Sequence, residues 1–175
     1  MRNHASWGSM SDVMIVFLNQ DAYDKYRLNE EDYELYKEVE KIQKKNNNKN
    51  DDDKKEDKKD DKKEEKDESN KSSKDITVEL DGIEDRIVRL TPNSSNIGGA
   101  IITKDGENLY YLSAVEDGYD LWKIKLRKPD ARIVSKLNAG YMSFEMDKSG
   151  NIFLLGSNSM KKLTPSSDKL TSMTY

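Results

Sequence analysis

Residues 44–75 contain 12 Lys, 12 Asp or Glu and no apolar side chain, so this stretch of the 175-residue chain has nothing to bury. Ordering a backbone costs roughly 1–2 kcal/mol per residue, and a segment with no apolar surface has little to set against that cost. From Lys54 to Glu65 the signs repeat every four residues. On a helix this stacks like charges at i,i+4, each pair destabilising by roughly 0.2–0.5 kcal/mol. The stretch is expected to be a disordered, solvated charged linker. Its net charge of zero offers a partner no single sign to recognise, which weighs against the alternative of a charged docking tail. The chain therefore divides into residues 1–43, the linker 44–75 and residues 76–175. Its apolar residues all lie in the two flanking parts, at an ordinary globular density.

The same sequence excludes several classes of function. No apolar run approaches the roughly 18–20 residues that span a bilayer, and the best, residues 13–18, is strand-sized, so no membrane partner is expected. The absence of cysteine removes thiol catalysis and thiolate metal sites, and His4 is the single imidazole. A self-contained Ser-His-Asp or zinc hydrolase does not fit, and no cofactor is expected. A net charge of −4 with lysines interleaved among acids gives no attraction for nucleic acid. Residues 1–10 lack the basic and apolar regions of a signal peptide, so export is not encoded there.

Before the charged stretch, residues 13–18 form a continuous, β-branched apolar run consistent with a buried strand. Asn19 is placed to cap a short helix through Ala22, Tyr23 and Tyr26. Asn29, followed by Glu30, Glu31 and Asp32, caps a second. Leu35, Val39 and Ile42 recur at i, i+4 and i+7, which predicts an amphipathic helix to about Gln43 whose stripe covers another surface. Tyr33 and Tyr36 read as packing residues rather than a stacking site.

After the stretch the period changes. Short β-rich runs at 76–80, 86–90, 100–103, 109–112, 121–126, 132–137, 143–146 and 152–155 are punctuated by Asp81-Gly82, Asp105-Gly106, Asp117-Gly118 and Ser149-Gly150. These dipeptides supply the positive φ of tight turns, and an antiparallel meander follows. Ala100-Ile-Ile-Thr-Lys-Asp-Gly-Glu-Asn-Leu-Tyr-Tyr-Leu-Ser113 aligns with Phe144-Glu-Met-Asp-Lys-Ser-Gly-Asn-Ile-Phe-Leu-Leu-Gly-Ser157, with Gly106 and Gly150 44 residues apart. Leu90-Thr-Pro echoes Leu163-Thr-Pro, a strand end that leads toward a next inner strand. A period of about 40–45 residues with four short strands is that of a β-propeller blade. The expected fold is mainly β, a partial propeller of about two four-stranded antiparallel blades behind an N-terminal strand-helix segment that belongs to a preceding blade.

Asp85-Arg-Ile-Val-Arg-Leu-Thr-Pro92, the Lys104-Asp105-Gly106 turn with Leu109-Tyr110-Tyr111-Leu112, and Gly118-Tyr-Asp-Leu-Trp122 together resemble the propeller region of tricorn-like serine proteases, the bacterial homologues in particular. Ser11-Asp-Val-Met-Ile-Val-Phe-Leu-Asn19 and Glu30-Glu-Asp-Tyr-Glu-Leu35 resemble the segment preceding those blades. The likeness covers nearly the whole chain outside the charged stretch and is strongest over 81–126. It implies a non-catalytic propeller segment of a peptidase, acting in peptide access or scaffolding. The implied partners are the remaining blades, a separate peptidase domain and, through it, peptide substrates. No catalytic position of the family has a counterpart here. The compartment stays open, since archaeal relatives are cytosolic and many bacterial ones exported. The competing reading is an independent β-rich module that binds a partner by strand addition.

Individual candidates read as structural. His4 lacks a fixed partner for catalysis. Asp120 is expected to bond a turn amide and Trp122 to pack between sheets. Gly98-Gly99 lacks the context of a phosphate loop and reads as a close backbone approach. Glu116, Asp117 and Asp120 do not match the spacing of a calcium loop. Too few blades to close a ring leave strand edges open beside apolar stretches such as 110–112 and 153–155, so self-association is expected.

Overall fold

The computed structural model describes residues 10–52, 76–116 and 118–173. It is mainly β, with three antiparallel sheets and two α-helices, and among the described residues no sheet closes into a barrel or a complete propeller. The chain forms two compact units, one of residues 1–17 with 82–175 and one of residues 18–81.

In the larger unit, β1 (Met14–Val16) pairs antiparallel with β2 (Ile87–Arg89), which follows a single 3₁₀ turn, Ile83–Arg86. The expectation of a buried strand at 13–18 fails here. Apolar residues occupy both alternating faces of this two-stranded ribbon, so one set must face out, and Met14 and Val16 are exposed. Two four-stranded meanders follow. The first is β3 (Asn96–Ile102), β4 (Asn108–Glu116), β5 (Gly118–Lys125) and β6 (Lys128–Ala139). The second is β7 (Met142–Met146), β8 (Ile152–Gly156), β9 (Met160–Thr164) and β10 (Lys169–Met173). In each sheet the strands lie side by side in chain order.

The repeat seen in the sequence has a local chemical basis. In the β3–β4 turn the Gly106 N–H donates to Thr103 O at 2.8 Å. In the β7–β8 turn the Gly150 N–H donates to Asp147 O at 3.0 Å, with both glycines at positive φ. Asp105 Oδ1 accepts the Glu107 N–H, and Asp147 Oδ1 accepts those of Ser149 and Asn151. The turns lie side by side, Lys104 Nζ donating to Lys148 O at 2.7 Å.

The sheets share a core. Tyr110, Leu112 and Leu121 of the first pack with Met142, Ile152, Leu154 and Leu163 of the second, all almost fully enclosed. A buried side chain of this kind contributes roughly 1.5–3 kcal/mol. The stretches expected to expose apolar faces for association are thus mostly covered. Strands β4 and β8 are interior, paired on both sides, and Tyr110, Leu112 and Leu154 face packed protein.

Asp168 ties the two sheets together. Its carboxylate accepts hydrogen bonds from the Tyr110 hydroxyl at 2.5 Å and Lys123 Nζ at 2.8 Å, and pairs with the Arg132 guanidinium. Leu163-Thr-Pro does not lead to a new inner strand as expected. The Ser167 N–H donates to Thr164 O, Asp168 takes the left-handed conformation at φ 54°, and the chain folds straight back as β10. The second sheet is therefore complete at four strands.

The smaller unit contains α1 (Gln20–Arg27) and α2 (Glu30–Asp52). Both caps are as read from the sequence: Asn19 Oδ1 accepts the Ala22 N–H at 2.9 Å and Asn29 Oδ1 the Asp32 N–H at 2.8 Å. Helix α2 runs nine residues past the expected end at Gln43 into the charged stretch, and the rest of that stretch, 53–75, lies outside the described residues. Asn and Lys at 44–50 are tolerable helix residues once a capped helix delivers the chain to them, because propagation is far cheaper than nucleation. The residues of the stripe, Leu35, Val39 and Ile42, are each more than half exposed. The run 76–80 is not a strand. It is held by the Glu79 N–H donating to Leu18 O, Asn19 Nδ2 donating to Thr77 O and the Gln20 N–H donating to Glu79 Oε2, where a ladder was expected.

Candidate functional site

The single residues weighed in the sequence resolve into structural roles or fall outside view. His4 and Asp117 lie outside the described residues. Asp120 accepts the backbone N–H groups of Leu137 at 2.7 Å and Asn138 at 3.1 Å, holding the irregular end of β6 against β5. Gly98 and Gly99 sit at a bulge of β3. A Cβ on Gly98 would meet the Tyr119 ring at 2.7 Å, so the close approach read from the sequence is real and its partner is an aromatic ring. Tyr33 and Tyr36 stack at 6.4 Å on α2, with Lys37 over the first ring at 4.6 Å. Among the described residues no group of His, Asp and Glu is placed to hold a metal ion.

The feature that sequence reasoning missed is a cavity of about 630 Å³. One wall is the face of the first sheet turned away from the shared core. Alternation along β4 puts Tyr111, Ser113 and Val115 on that face, and Trp122 of β5 lies directly across from Tyr111. The two rings are 6.2 Å apart with planes 25° from parallel. Trp122, expected to pack between sheets, instead forms this wall. The opposite wall is the 92–96 segment between β2 and β3, with Met10 beside it.

That segment is pinned. Asp12 accepts hydrogen bonds from the Thr91 hydroxyl at 2.9 Å and the Ser94 hydroxyl at 3.0 Å and pairs with Arg89 at 2.8 Å. Partial desolvation pushes its carboxyl up, but these bonds and the Arg89 charge outweigh it and hold the group below the usual range. Ser11 and Ser95 exchange backbone hydrogen bonds, and the Ser113 hydroxyl donates to the Ser95 hydroxyl at 2.8 Å across the cavity floor. Burial pushes the Tyr111 phenol up, so it is neutral at physiological pH. The Trp122 indole nitrogen is enclosed and has no hydrogen-bond partner among the described residues. Among the described residues that line the cavity there is no His, Lys, Arg, Asp or Glu.

No protein-family model matches the chain, and no curated protein does. Among solved structures it is similar to one described as the crystal structure of the tricorn protease, with a TM-score of 0.40 and 13% identity over 51% of this chain. The match spans 8% of that protein's chain.

Proposed function

We propose that the two meanders are consecutive blades of a β-propeller, and that the chain is a non-catalytic segment of a tricorn-like serine peptidase that receives or guides peptides for a separate catalytic domain. One observation carries the blade reading. Two sheets of identical strand order, with equivalent turns 44 residues apart, pack face to face, their first strands β3 and β7 adjacent. A four-stranded sheet repeated in this way about a common inner edge is how propellers are built. The kinship with peptidases rests on the residues quoted from 81–126. Strand β1 with β2 would be the outer part of a preceding blade, and the helical unit an insertion between its strands.

The test is to titrate the purified chain into a fluorescein-labelled, unfolded peptide and follow anisotropy, with mass spectrometry of the peptide afterwards. Saturable binding of a peptide that stays intact is expected. Absence of binding would overturn the peptide role. Cleavage abolished by substituting one serine of this chain would overturn its non-catalytic character.

A further inference from the structure

The cavity on the outer face of the first sheet has a lining that differs in kind from the rest of the molecule. Charged residues make up 37% of the chain, yet none of the residues that line this cavity carries a charge. A charged ligand entering it would lose water and find no opposite charge, so the site rejects charge of either sign. Its volume of about 630 Å³ lies within the usual range of ligand pockets, roughly 300–1,000 Å³, and holds one large side chain with its flanking peptide units.

The wall chemistry narrows the ligand further. The stacked Tyr111 and Trp122 rings, the first buried and the second partly exposed, make an apolar surface on which an aromatic or branched aliphatic group packs well. Each serine hydroxyl carries one donor and two lone pairs, and the Ser113–Ser95 bond uses only one donor, leaving capacity for a ligand amide. The Trp122 indole nitrogen is enclosed, so the ring offers the cavity its apolar surface and the hydroxyls supply the polar contacts. Apolar surface beside unspent amide-compatible donors and acceptors, without charge, matches a neutral residue within a peptide.

We infer that the cavity between the 92–96 segment and the Tyr111–Trp122 face binds a neutral, apolar side chain carried on a peptide. This rests on the peptide-handling reading above and adds a residue preference to it. Val115, 66% exposed, lines the space and is free to change without loss of core packing.

In a Trp7→Phe background Trp122 is the sole tryptophan and reports on its own wall. The probes are the N-acetyl amides of phenylalanine, leucine, lysine and glutamate, followed by fluorescence. Saturable quenching or shift is expected with phenylalanine and leucine, with the charged pair at least tenfold weaker. Val115→Arg should abolish the response while leaving the melting temperature unchanged, and Trp122→Phe, read by anisotropy of a labelled phenylalanine amide, should weaken it severalfold. Equal binding of charged and neutral probes, no response to any, or an unchanged response in Val115→Arg would overturn the assignment. If unfolded peptides bind the chain equally with and without Val115→Arg, the peptide reading stands and the cavity assignment falls. If the amides bind in the cavity and longer peptides do not bind, the reverse holds.

Discussion

Asp168 shows how one side chain can set the relation between two sheets. It reaches Tyr110 of β4, Lys123 of β5 and Arg132 of β6, and Lys123 is itself almost fully enclosed. Burial raises the Asp168 carboxyl, but the hydrogen bonds from Lys123 and Tyr110 and the charges of Lys123 and Arg132 more than compensate, so it lies below its ordinary value. A carboxyl lowered on folding stabilises the fold above its unfolded value of about 3.9 and loses that contribution as the pH falls through the folded value. Asp168→Asn should therefore cost about 2 kcal/mol at pH 7, where Lys123 is left enclosed with a neutral partner. The difference from the parent should narrow below about pH 4, where the parent carboxyl is protonated too. Urea midpoints at pH 7 and pH 3 measure both, and a gap that widens in acid would refute the role. Nothing in the sequence marked this residue, since its partners lie 36 to 58 positions away.

At the scale of the element, the turns carry the fold. Gly118, the first residue of β5, takes φ 94° and presses against the backbone of Asn138 and Ala139. A Cβ there would stand 2.7 Å from Ala139 O, so both the torsion and the space demand glycine. Gly118→Ala should cost about 3 kcal/mol, and Gly106→Ala, where a Cβ meets nothing within 4 Å, about 1 kcal/mol from its positive φ alone. Paired thermal melts of the two variants separate torsion from collision, and equal losses would remove the steric claim. The turn glycines, the strand periods and both helix caps were readable in the sequence because each depends on residues two to four apart. The end of α2 was not, because nothing local stops a helix that has already been nucleated. Nor was β10 readable: its weak alternation becomes a strand only because β9 offers an edge.

For the whole molecule, exposed apolar surface is the feature with consequences. Leu35, Val39 and Ile42 on α2, Ile76, Val78 and Leu80 in the extended segment, and Met14 and Val16 on β1 are all exposed. Among the described residues, β1, β2, β3, β6, β7 and β10 are edge strands of their sheets. Apolar groups beside unpaired strand edges favour association. The purified chain is expected to self-associate with rising concentration, and light scattering coupled to size exclusion measures it. A mass equal to one chain at every concentration would contradict this. The interior strands 110–112 and 153–155 take no part, so substituting them would unfold the protein rather than disperse it.

Local periodicity alone determined the β-rich half, the first meander and the opening hairpin of the second with their turns, and the capped helices, because each follows from spacings of a few residues. The absence of any apolar side chain from 44–75 is likewise a fact of the sequence alone. Tertiary structure decided which face of each sheet is covered, which carboxylate joins the sheets, and that alternate residues of β4 meet Trp122 and the 92–96 segment around an uncharged cavity. Such features depend on distances between residues far apart in the chain, and a linear pattern does not encode a distance.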